Sequence, residues 1–170
     1  MDVCIGTTPV AGLPQKLSLA GNGKRILFIM PSTSTNSIVL SDEEQICSKE
    51  LPDIIFDIIW CHNAKENVIV IGSEYGEHVY FVDVRDLEVK QVLRLLREQD
   101  KMWSRFAILV TPDKKRVAIV SELVFVISNW SGDIIMDQRI MLSDSFRSLD
   151  NGKITFYDES NNKHFTYHFL

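Results

Sequence analysis

The stretch R-V-A-I-V-S-E-L-V-F-V-I-S-N-W-S-G-D-I-I-M, residues 116–136, is the most informative part of the chain about its fold. Its apolar runs are continuous and rich in Val, Ile and Phe, and polar residues interrupt them at Ser121-Glu122 and at Asn129–Asp133. A helix with one wet face would repeat apolar residues every three or four positions, which this stretch does not do. The pattern is typical of β-strands that are covered on both faces and joined by turns.

The same arrangement recurs along the chain. Turn-like tetrapeptides begin at Gly21, Asn63, Pro112 and Asp150, and each leads into an apolar run such as R-I-L-F-I-M or N-V-I-V-I-G. Asn and Gly tolerate positive φ, and Pro presets φ for the first corner of a turn, so these tetrapeptides favour hairpins. The sequence therefore predicts a faint repeat built from short strands.

Each repeat holds more than one hairpin. A second turn and a second run follow the first, as in E-Y-G-E before H-V-Y-F-V-D-V, and another apolar run precedes it, as in D-I-I-F-D-I-I-W-C. The runs E-V-K-Q-V-L-R-L and I-I-M-D-Q-R-I are candidates for a fourth strand in two repeats. Val, Ile, Phe and Tyr suit a pleated surface, so we predict an all-β fold of antiparallel multi-strand sheets.

The segment N-V-I-V-I-G-S-E-Y-G-E-H-V-Y-F-V-D-V-R-D, Asn67 to Asp86, resembles the middle of a WD-repeat-type β-propeller blade. There, too, an apolar strand, a Gly-containing turn and a second strand ending in Asp follow one another. The Gly-His and Trp-Asp signatures of that family are missing. The resemblance implies a single domain over residues 1–170 with about four blade-like units, as a half-propeller or a small four-bladed propeller.

Two features leave the architecture open. The last unit lacks a fourth strand, so either M-D-V-C-I at residues 1–5 closes a ring, or the sheets stay open as a half-propeller or a β-sandwich; we favour the open form.

Two segments could be helical. Ser41 and Glu44 have the spacing of a capping box ahead of Q-I-C-S-K-E-L. Residues 86–103 are rich in helix-forming side chains. We therefore expect one or two short helices.

Charge balance, apolar run length and cysteine spacing limit the partners and the location that we expect. The 170 residues carry 18 Lys and Arg against 23 Asp and Glu, a net charge of −5, which argues against nucleic acid as a partner and favours a basic one. No apolar run approaches ~18 residues, so we expect no membrane span. The first residues lack a cationic start and an apolar core, and Cys4, Cys47 and Cys61 show no paired spacing. We therefore expect no signal peptide and a cytoplasmic location.

No motif points to catalysis, a metal or a cofactor. The chain has no G-x-S-x-G, phosphate loop or dinucleotide fingerprint. Cys61 and His62 are neighbours on a predicted strand and should face opposite sides. His164 and His168 lie ~13 Å apart on a strand, too far to share one ion. A carboxylate-based enzyme would need groups such as Asp83 and Asp158 to converge on one site. These two residues follow the second strand of one unit and the first strand of another, so we do not expect them to converge and we expect no enzyme.

Acidic and aromatic residues in the turns are the candidates for partner binding. Acidic turn residues are typical of either a solvated surface or an acidic contact surface, and aromatic turn residues are common anchors of protein interfaces. For Trp130, which Asn129, Ser131 and Gly132 surround, an exposed and a core position are equally favoured. The candidates are Asp42, Glu43, Glu44, Glu74, Tyr75, Glu77, Trp130 and Asp133.

In its size, acidic charge and lack of catalytic motifs, the chain is similar to bacterial immunity proteins of contact-dependent growth inhibition and related toxin systems. That resemblance implies a cognate protein toxin, often a small basic nuclease, bound as a 1:1 heterodimer and neutralised by covering its active site. Carboxylates would meet the Lys and Arg of the toxin, and aromatic anchors would fill its cleft. The alternative is a propeller-type scaffold or assembly module without catalytic activity.

Overall fold

The structure is a computed structural model that describes residues 3–9, 15–18, 26–30, 36–41, 46–51, 57–73, 77–95, 106–111, 113–120, 124–139, 144–150, 153–158 and 161–168. Within these residues the fold is all-β, as the sequence predicts, and no helix occurs. The strands are β1 Val3–Pro9, β2 Gln15–Ser18, β3 Ile26–Met30, β4 Asn36–Ser41, β5 Ile46–Leu51, β6 Asp57–Asn63, β7 Val68–Ser73, β8 His78–Asp83, β9 Val89–Arg94, β10 Ala107–Val110, β11 Arg116–Val120, β12 Val124–Asn129, β13 Ile134–Arg139, β14 Asp144–Asp150, β15 Lys153–Asp158 and β16 Lys163–His168.

The strands form four antiparallel sheets that follow one another along the chain. Sheet I has the order β2-β3-β4-β5, sheet II β1-β6-β7-β8-β9, sheet III β10-β11-β12-β13 and sheet IV β14-β15-β16. Apart from the pairing of β1 with β6, every strand pairing joins strands that are neighbours in sequence. The strand-turn-strand units that the sequence predicts are therefore present as separate sheets, and the described strands do not close into one barrel.

The strand β1 is the exception to this local order. It pairs antiparallel with β6, from Val3 opposite Asn63 to Pro9 opposite Asp57, and so becomes the fifth strand of sheet II. Among the described residues it makes no pairing with sheet IV, which has three strands. The alternative in which the first residues complete the last unit and close a ring is therefore wrong.

Both helix predictions are also wrong where the structure describes the chain. Residues Ile46–Leu51, which follow the predicted capping box, form β5, and Val89–Arg94 form β9. Each is the last strand of its sheet, and most of its side chains are exposed. Because helix propensity is a weak preference, pairing with β4 or β8 outweighs the good helix formers in these segments.

Sheet II has a core on each of its two faces. On β7, Val68 and Val70 join a core shared with sheet III, whereas Ile69 and Ile71 join a core shared with sheet I. Side chains alternate between the faces of a strand, so covering both faces requires an unbroken apolar run. The V-I-V-I run of β7 is explained in this way.

Both cores consist mainly of aliphatic and aromatic side chains. The core between sheets II and III includes Phe81, Leu93, Phe106, Ile119 and Val126. The core between sheets I and II holds thirteen buried residues: Leu27, Ile29, Ile38, Leu40, Leu51, Ile58, Trp60, Ile69, Ile71, Tyr80, Val82, Val84 and Leu87.

Sheet III explains the stretch that began the sequence analysis. Val117 and Ile119 of β11 face sheet II, and Ala118 and Val120 belong to a second buried cluster with Phe125 of β12. Both faces of these two strands are therefore buried. Stacked sheets, rather than a helix with one wet face, account for the sequence V-A-I-V.

Candidate partner-binding surface

Polar side chains close the turns at one end of sheet II. Asn63, at the end of β6, accepts hydrogen bonds through Oδ1 from the backbone N–H groups of Lys65 at 3.0 Å and Glu66 at 3.3 Å. Asp83, at the end of β8, accepts through Oδ1 from the N–H of Arg85 at 2.9 Å. The N–H of Val84 donates to the carbonyl of Asn67 at 2.9 Å, which joins the two turns.

Sheet III repeats this arrangement with other residues. Thr111, after β10, accepts from the N–H of Arg116 at 3.0 Å, and its hydroxyl donates to the carboxylate of Asp113 at 2.6 Å. Asn129, at the end of β12, accepts through Oδ1 from the N–H groups of Ser131 and Asp133 at 2.9 and 3.0 Å. Local bonds of this kind hold a turn in one conformation, so the exposed side chains next to them start from a fixed backbone.

An ion pair reinforces the turn after β8. Arg85 donates from Nε to Oδ1 of Asp83 at 2.9 Å and from Nη2 to Oδ2 at 2.5 Å. The hydrogen bond from the Arg85 side chain is the main cause that holds the pKa of Asp83 below its ordinary value. Asp83 is almost fully buried and stays ionised, so its role in the structure is to anchor the turn.

The structure describes two of the acidic residues that were predicted to bind a partner, and both lie beside β9. Asp133 is exposed, and its carboxylate accepts from Nδ2 of Asn129 at 2.9 Å. Glu77 is partly exposed, its Oε2 lies 3.8 Å from Nη2 of Arg94, and its backbone carbonyl accepts from the N–H of Leu95 at 2.7 Å. Neither carboxylate is buried.

The turn that holds Asp133 rests directly on sheet II. A Cβ built on Gly132 would lie 2.5 Å from Cβ of Gln91 on β9 and 3.2 Å from Cδ2 of Phe81 on β8. Gln91 is three residues before Arg94, about 10 Å along the strand. The structure therefore brings the turn of Asp133 and the ion pair of Glu77 to the same outer strand, a relation that the sequence did not predict.

Trp130 is not an exposed anchor. It is 5% exposed and belongs to the core between sheets II and III. Its indole Nε1–H donates to the backbone carbonyl of Lys114 at 2.8 Å, which ties the turn after β12 to the turn after β10. Of the two positions that the sequence left open, the core position is the one observed, because the apolar ring and its one polar atom both find partners inside sheet III and against sheet II.

The remaining candidates lie outside the described residues: Asp42, Glu43, Glu44, Glu74 and Tyr75. Glu74 and Tyr75 stand in sequence between the described β7 and Glu77, and the three acidic residues stand between β4 and β5. Their part in binding stays a prediction from the sequence.

Cys61 and His62 face opposite sides of β6, as predicted. Cys61 is fully buried in the core between sheets II and III, and burial raises the pKa of its thiol well above the ordinary value. His62 is also buried, and burial lowers the pKa of its imidazole to about 4. Both side chains are therefore buried, on opposite faces of β6.

His164 and His168 lie on β16 and are both exposed. His164 lies against Tyr157, with ring centroids 5.0 Å apart. Among the described residues no three or more His, Cys, Asp or Glu side chains are grouped so that they could hold a metal ion.

The last strands of sheets I, II and III, which we call the outer strands β5, β9 and β13, expose apolar side chains. The exposed fractions are 74% for Ile46 on β5 and 42% for Val92 on β9. On β13 they are 48% for Ile134, 55% for Ile135 and 37% for Met136. The sequence indicates β9 and β13 as fourth strands, and in the described residues each is the last strand of its sheet.

Comparisons with known proteins add little to these observations. No family model and no curated protein matches the chain. Among solved structures 14 chains are similar, and one of them is described as KlHsv2 with loop 6CD replaced by a Gly-Ser linker. That chain is 9% identical with a TM-score of 0.35, and the alignment covers 85% of this chain and 80% of the other. Within the described residues no helix has the length and apolar character needed to cross a membrane.

Proposed function

We propose that this protein acts by binding another protein, and that it is an immunity protein that covers the active site of a small basic toxin. The observation that carries the proposal is the placement of two solvent-accessible carboxylates, Glu77 and Asp133, beside β9. Asn129 caps the turn before Asp133, and the backbone carbonyl of Glu77 accepts a hydrogen bond from the N–H of Leu95. The net charge of −5 supports a basic partner. Within this proposal the protein works in the cytoplasm, as a blade-like or half-propeller scaffold.

The mechanism follows from charge and rigidity. Exposed carboxylates attract a basic protein over long range and raise the association rate more than the final affinity. A turn that is already fixed, as Asn129 fixes the turn before Asp133, loses little conformational entropy when it is bound. The toxin is then occluded rather than modified, and a 1:1 complex suffices.

The binding surface that we propose differs in one residue from the sequence prediction. Trp130 is removed from it, because this side chain supports the turn from inside the core. Glu77 and Asp133 remain, together with the candidates outside the described residues: Asp42, Glu43, Glu44, Glu74 and Tyr75.

The decisive experiment measures the rate of association. The partner is captured from the native host with the full chain, identified by mass spectrometry, purified, and mixed with the chain in a stopped-flow instrument at increasing salt. The variants Glu77→Gln and Asp133→Asn remove charge at nearly constant shape, and the amide introduced by Asp133→Asn still offers a side-chain oxygen to Asn129. We expect the double variant to associate at least about threefold more slowly at low salt, and the difference to shrink at high salt.

The matched control is Glu50→Gln, which removes an exposed carboxylate from β5 in sheet I. Glu50→Gln should slow association only as much as the change in net charge by itself would. An association rate that does not change with salt and is the same in the parent and the double variant would exclude the electrostatic mechanism. A partner whose toxicity persists in the complex would exclude neutralisation.

A second function, a scaffold or assembly module, is favoured by the apolar side chains on the outer strands. A scaffold would bind several partners at once, whereas an immunity protein would bind one. The two are separated by the stoichiometry of the captured complex and by the neighbouring genes. A toxin gene directly upstream supports immunity, and an operon for a multi-subunit assembly supports scaffolding.

A further inference from the structure

Sheet IV has fewer strands than the other three sheets in the described residues. Its order is β14-β15-β16, whereas sheets I and III have four strands and sheet II has five. The strand β16 pairs with β15 from Lys163 opposite Asp158 to His168 opposite Lys153, without a bulge, as β8 pairs with β7 and β12 with β11. It therefore corresponds to β8 and β12, but no described strand pairs with its other edge.

In sheets II and III, the turn that leads into the last strand packs on the preceding sheet. Val84 and Leu87, in the turn before β9, are buried in the core that sheet II shares with sheet I. Gly132, in the turn before β13, is buried against Phe81 and Gln91 of sheet II. The same kind of contact thus occurs at two successive positions of the stack.

Sheet III offers the equivalent place for a third turn of this kind. Phe81 and Gln91 form the first pair beyond a β-bulge near the start of β9. Ile127 and Met136 form the corresponding pair beyond a bulge near the start of β13. Both pairs lie on the face turned away from the preceding sheet, since Phe81 is in the core with sheet III and Ile127 is in the cluster on the far side of sheet III. Met136 is 37% exposed there, so a turn that packed on it would cover apolar surface.

The side chains of β16 favour an acidic strand at its open edge. The strand reads K-H-F-T-Y-H, with one lysine, two histidines and no carboxylate, in a chain of net charge −5. His164, Thr166 and His168 occupy alternate positions, so they share one face, and all three are exposed. Lysine and histidine donate hydrogen bonds and carboxylates accept them. Opposite charges at directly opposed positions also favour a strand pair.

We propose that sheet IV binds an extended acidic segment of another protein as its fourth strand. The segment pairs antiparallel with the open edge of β16, and a tight turn before it packs on Met136. Main-chain hydrogen bonds supply the affinity of such an added strand, and the side chains opposite it supply the selectivity. The occupant is acidic, unlike the proposed toxin, and it does not contact Glu77 or Asp133, so the two proposals stand or fall separately.

A synthetic peptide copied from this chain is the probe. Residues 129–138, N-W-S-G-D-I-I-M-D-Q, hold the turn and the fourth strand of sheet III and include two Asp residues. The peptide is capped at both ends and labelled with fluorescein, and fluorescence anisotropy measures its binding to the full chain. We expect saturable binding with a dissociation constant below about 1 mM. Replacing both Asp residues of the peptide by Lys should raise the dissociation constant about fivefold or more.

Two further measurements locate the bound peptide. Hydrogen exchange of the backbone amides of residues 163–168 should slow about fivefold or more on binding, while exchange on β9 stays the same. Backbone N–H groups point alternately to the two edges of a strand. Methylation of alternate peptide nitrogens should therefore abolish binding when the methyl groups lie on the edge that faces β16, and preserve it when they lie on the other edge.

The contact of the turn is tested on the protein. Met136→Ser should raise the dissociation constant of the peptide about threefold or more, because the turn loses an apolar contact. The matched control is Val92→Ser on β9, where the side chain is 42% exposed, and it should leave the dissociation constant unchanged. Circular dichroism establishes that both variants are folded.

Four results would overturn the proposal. They are peptide binding that does not saturate, slowed exchange on β9 or β12 in place of β16, equal binding of the two methylated peptides, and a Met136→Ser variant that binds the peptide as the parent does.

Discussion

At the scale of single residues, His62 is the most informative side chain. It is 3% exposed, and its Nε2 has no hydrogen-bond partner among the described residues. Burial disfavours the charged imidazolium, which lowers the pKa from 6.5 to about 4. In the folded state the ring is therefore neutral down to about that pH, while the unfolded chain takes up a proton near pH 6.5.

This difference predicts a pH-dependent stability. Because the folded pKa is the lower one, the contribution of His62 is fully present above pH 6.5 and is lost as the pH falls towards 4. A shift of this size corresponds to about 3 kcal/mol in the free energy of unfolding. We expect His62→Leu to remove most of this dependence, which urea unfolding at about pH 7 and about pH 4.5 will measure.

Carboxylates provide the internal control for that experiment. Asp83 and Asp113 have pKa values below 3.8, Asp83 mainly through the hydrogen bond from Arg85 and Asp113 mainly through the one from Thr111. Their contributions are therefore lost below the window in which His62 acts. Equal losses over the same pH interval in the parent chain and in His62→Leu would show that His62 is not the cause.

At the scale of elements, the turn between β12 and β13 joins two sheets. Gly132 has a φ of 87° and is buried against Gln91 and Phe81. The short polar sequence predicted a turn there because Asn, Ser, Gly and Asp have local turn chemistry. That the turn packs on sheet II could not be predicted, because this contact joins residues far apart in the sequence.

We predict that Gly132→Ala is strongly destabilising. The left-handed φ is unfavourable for alanine, and its Cβ would lie 2.5 Å from Cβ of Gln91, which is too close without movement of the backbone. The expected loss in the free energy of unfolding is about 2 kcal/mol or more. Chemical denaturation measures it, and Ser131→Ala at the exposed neighbouring position should change it by less than about 0.5 kcal/mol. A fully stable Gly132→Ala would contradict the packing described here.

At the scale of the whole molecule, sheet II holds the described structure together. It shares one core with sheet I and another with sheet III, so its central strands β7 and β8 are covered on both faces. The outer strands β5, β9 and β13 have exposed side chains and one open edge each in the described residues. Stability is therefore concentrated in the middle of the stack and decreases towards the outer strands.

Truncating one side chain on the central strand β8 and one on the outer strand β5 should show this gradient in stability. Phe81 is fully buried on β8, so Phe81→Ala should cost about 3–5 kcal/mol through lost contacts and the cavity that remains. Ile46 is 74% exposed on β5, so Ile46→Ala should cost less than about 0.5 kcal/mol. Urea unfolding of both variants measures the difference, and similar costs at the two sites would contradict a core centred on sheet II.

The sequence by itself determined the all-β class, the hairpins β6–β7 and β10–β11, and the opposite facing of Cys61 and His62. These follow from turn chemistry and from the period of side chains along a strand, which are local properties. Only the tertiary structure decided that residues 46–51 form a strand, that residues 89–94 adopt the strand rather than the helix alternative, that Trp130 is buried, and that β1 pairs with β6. Each of these depends on pairing with another strand or on burial against another sheet, and both outweigh the local preference of the segment.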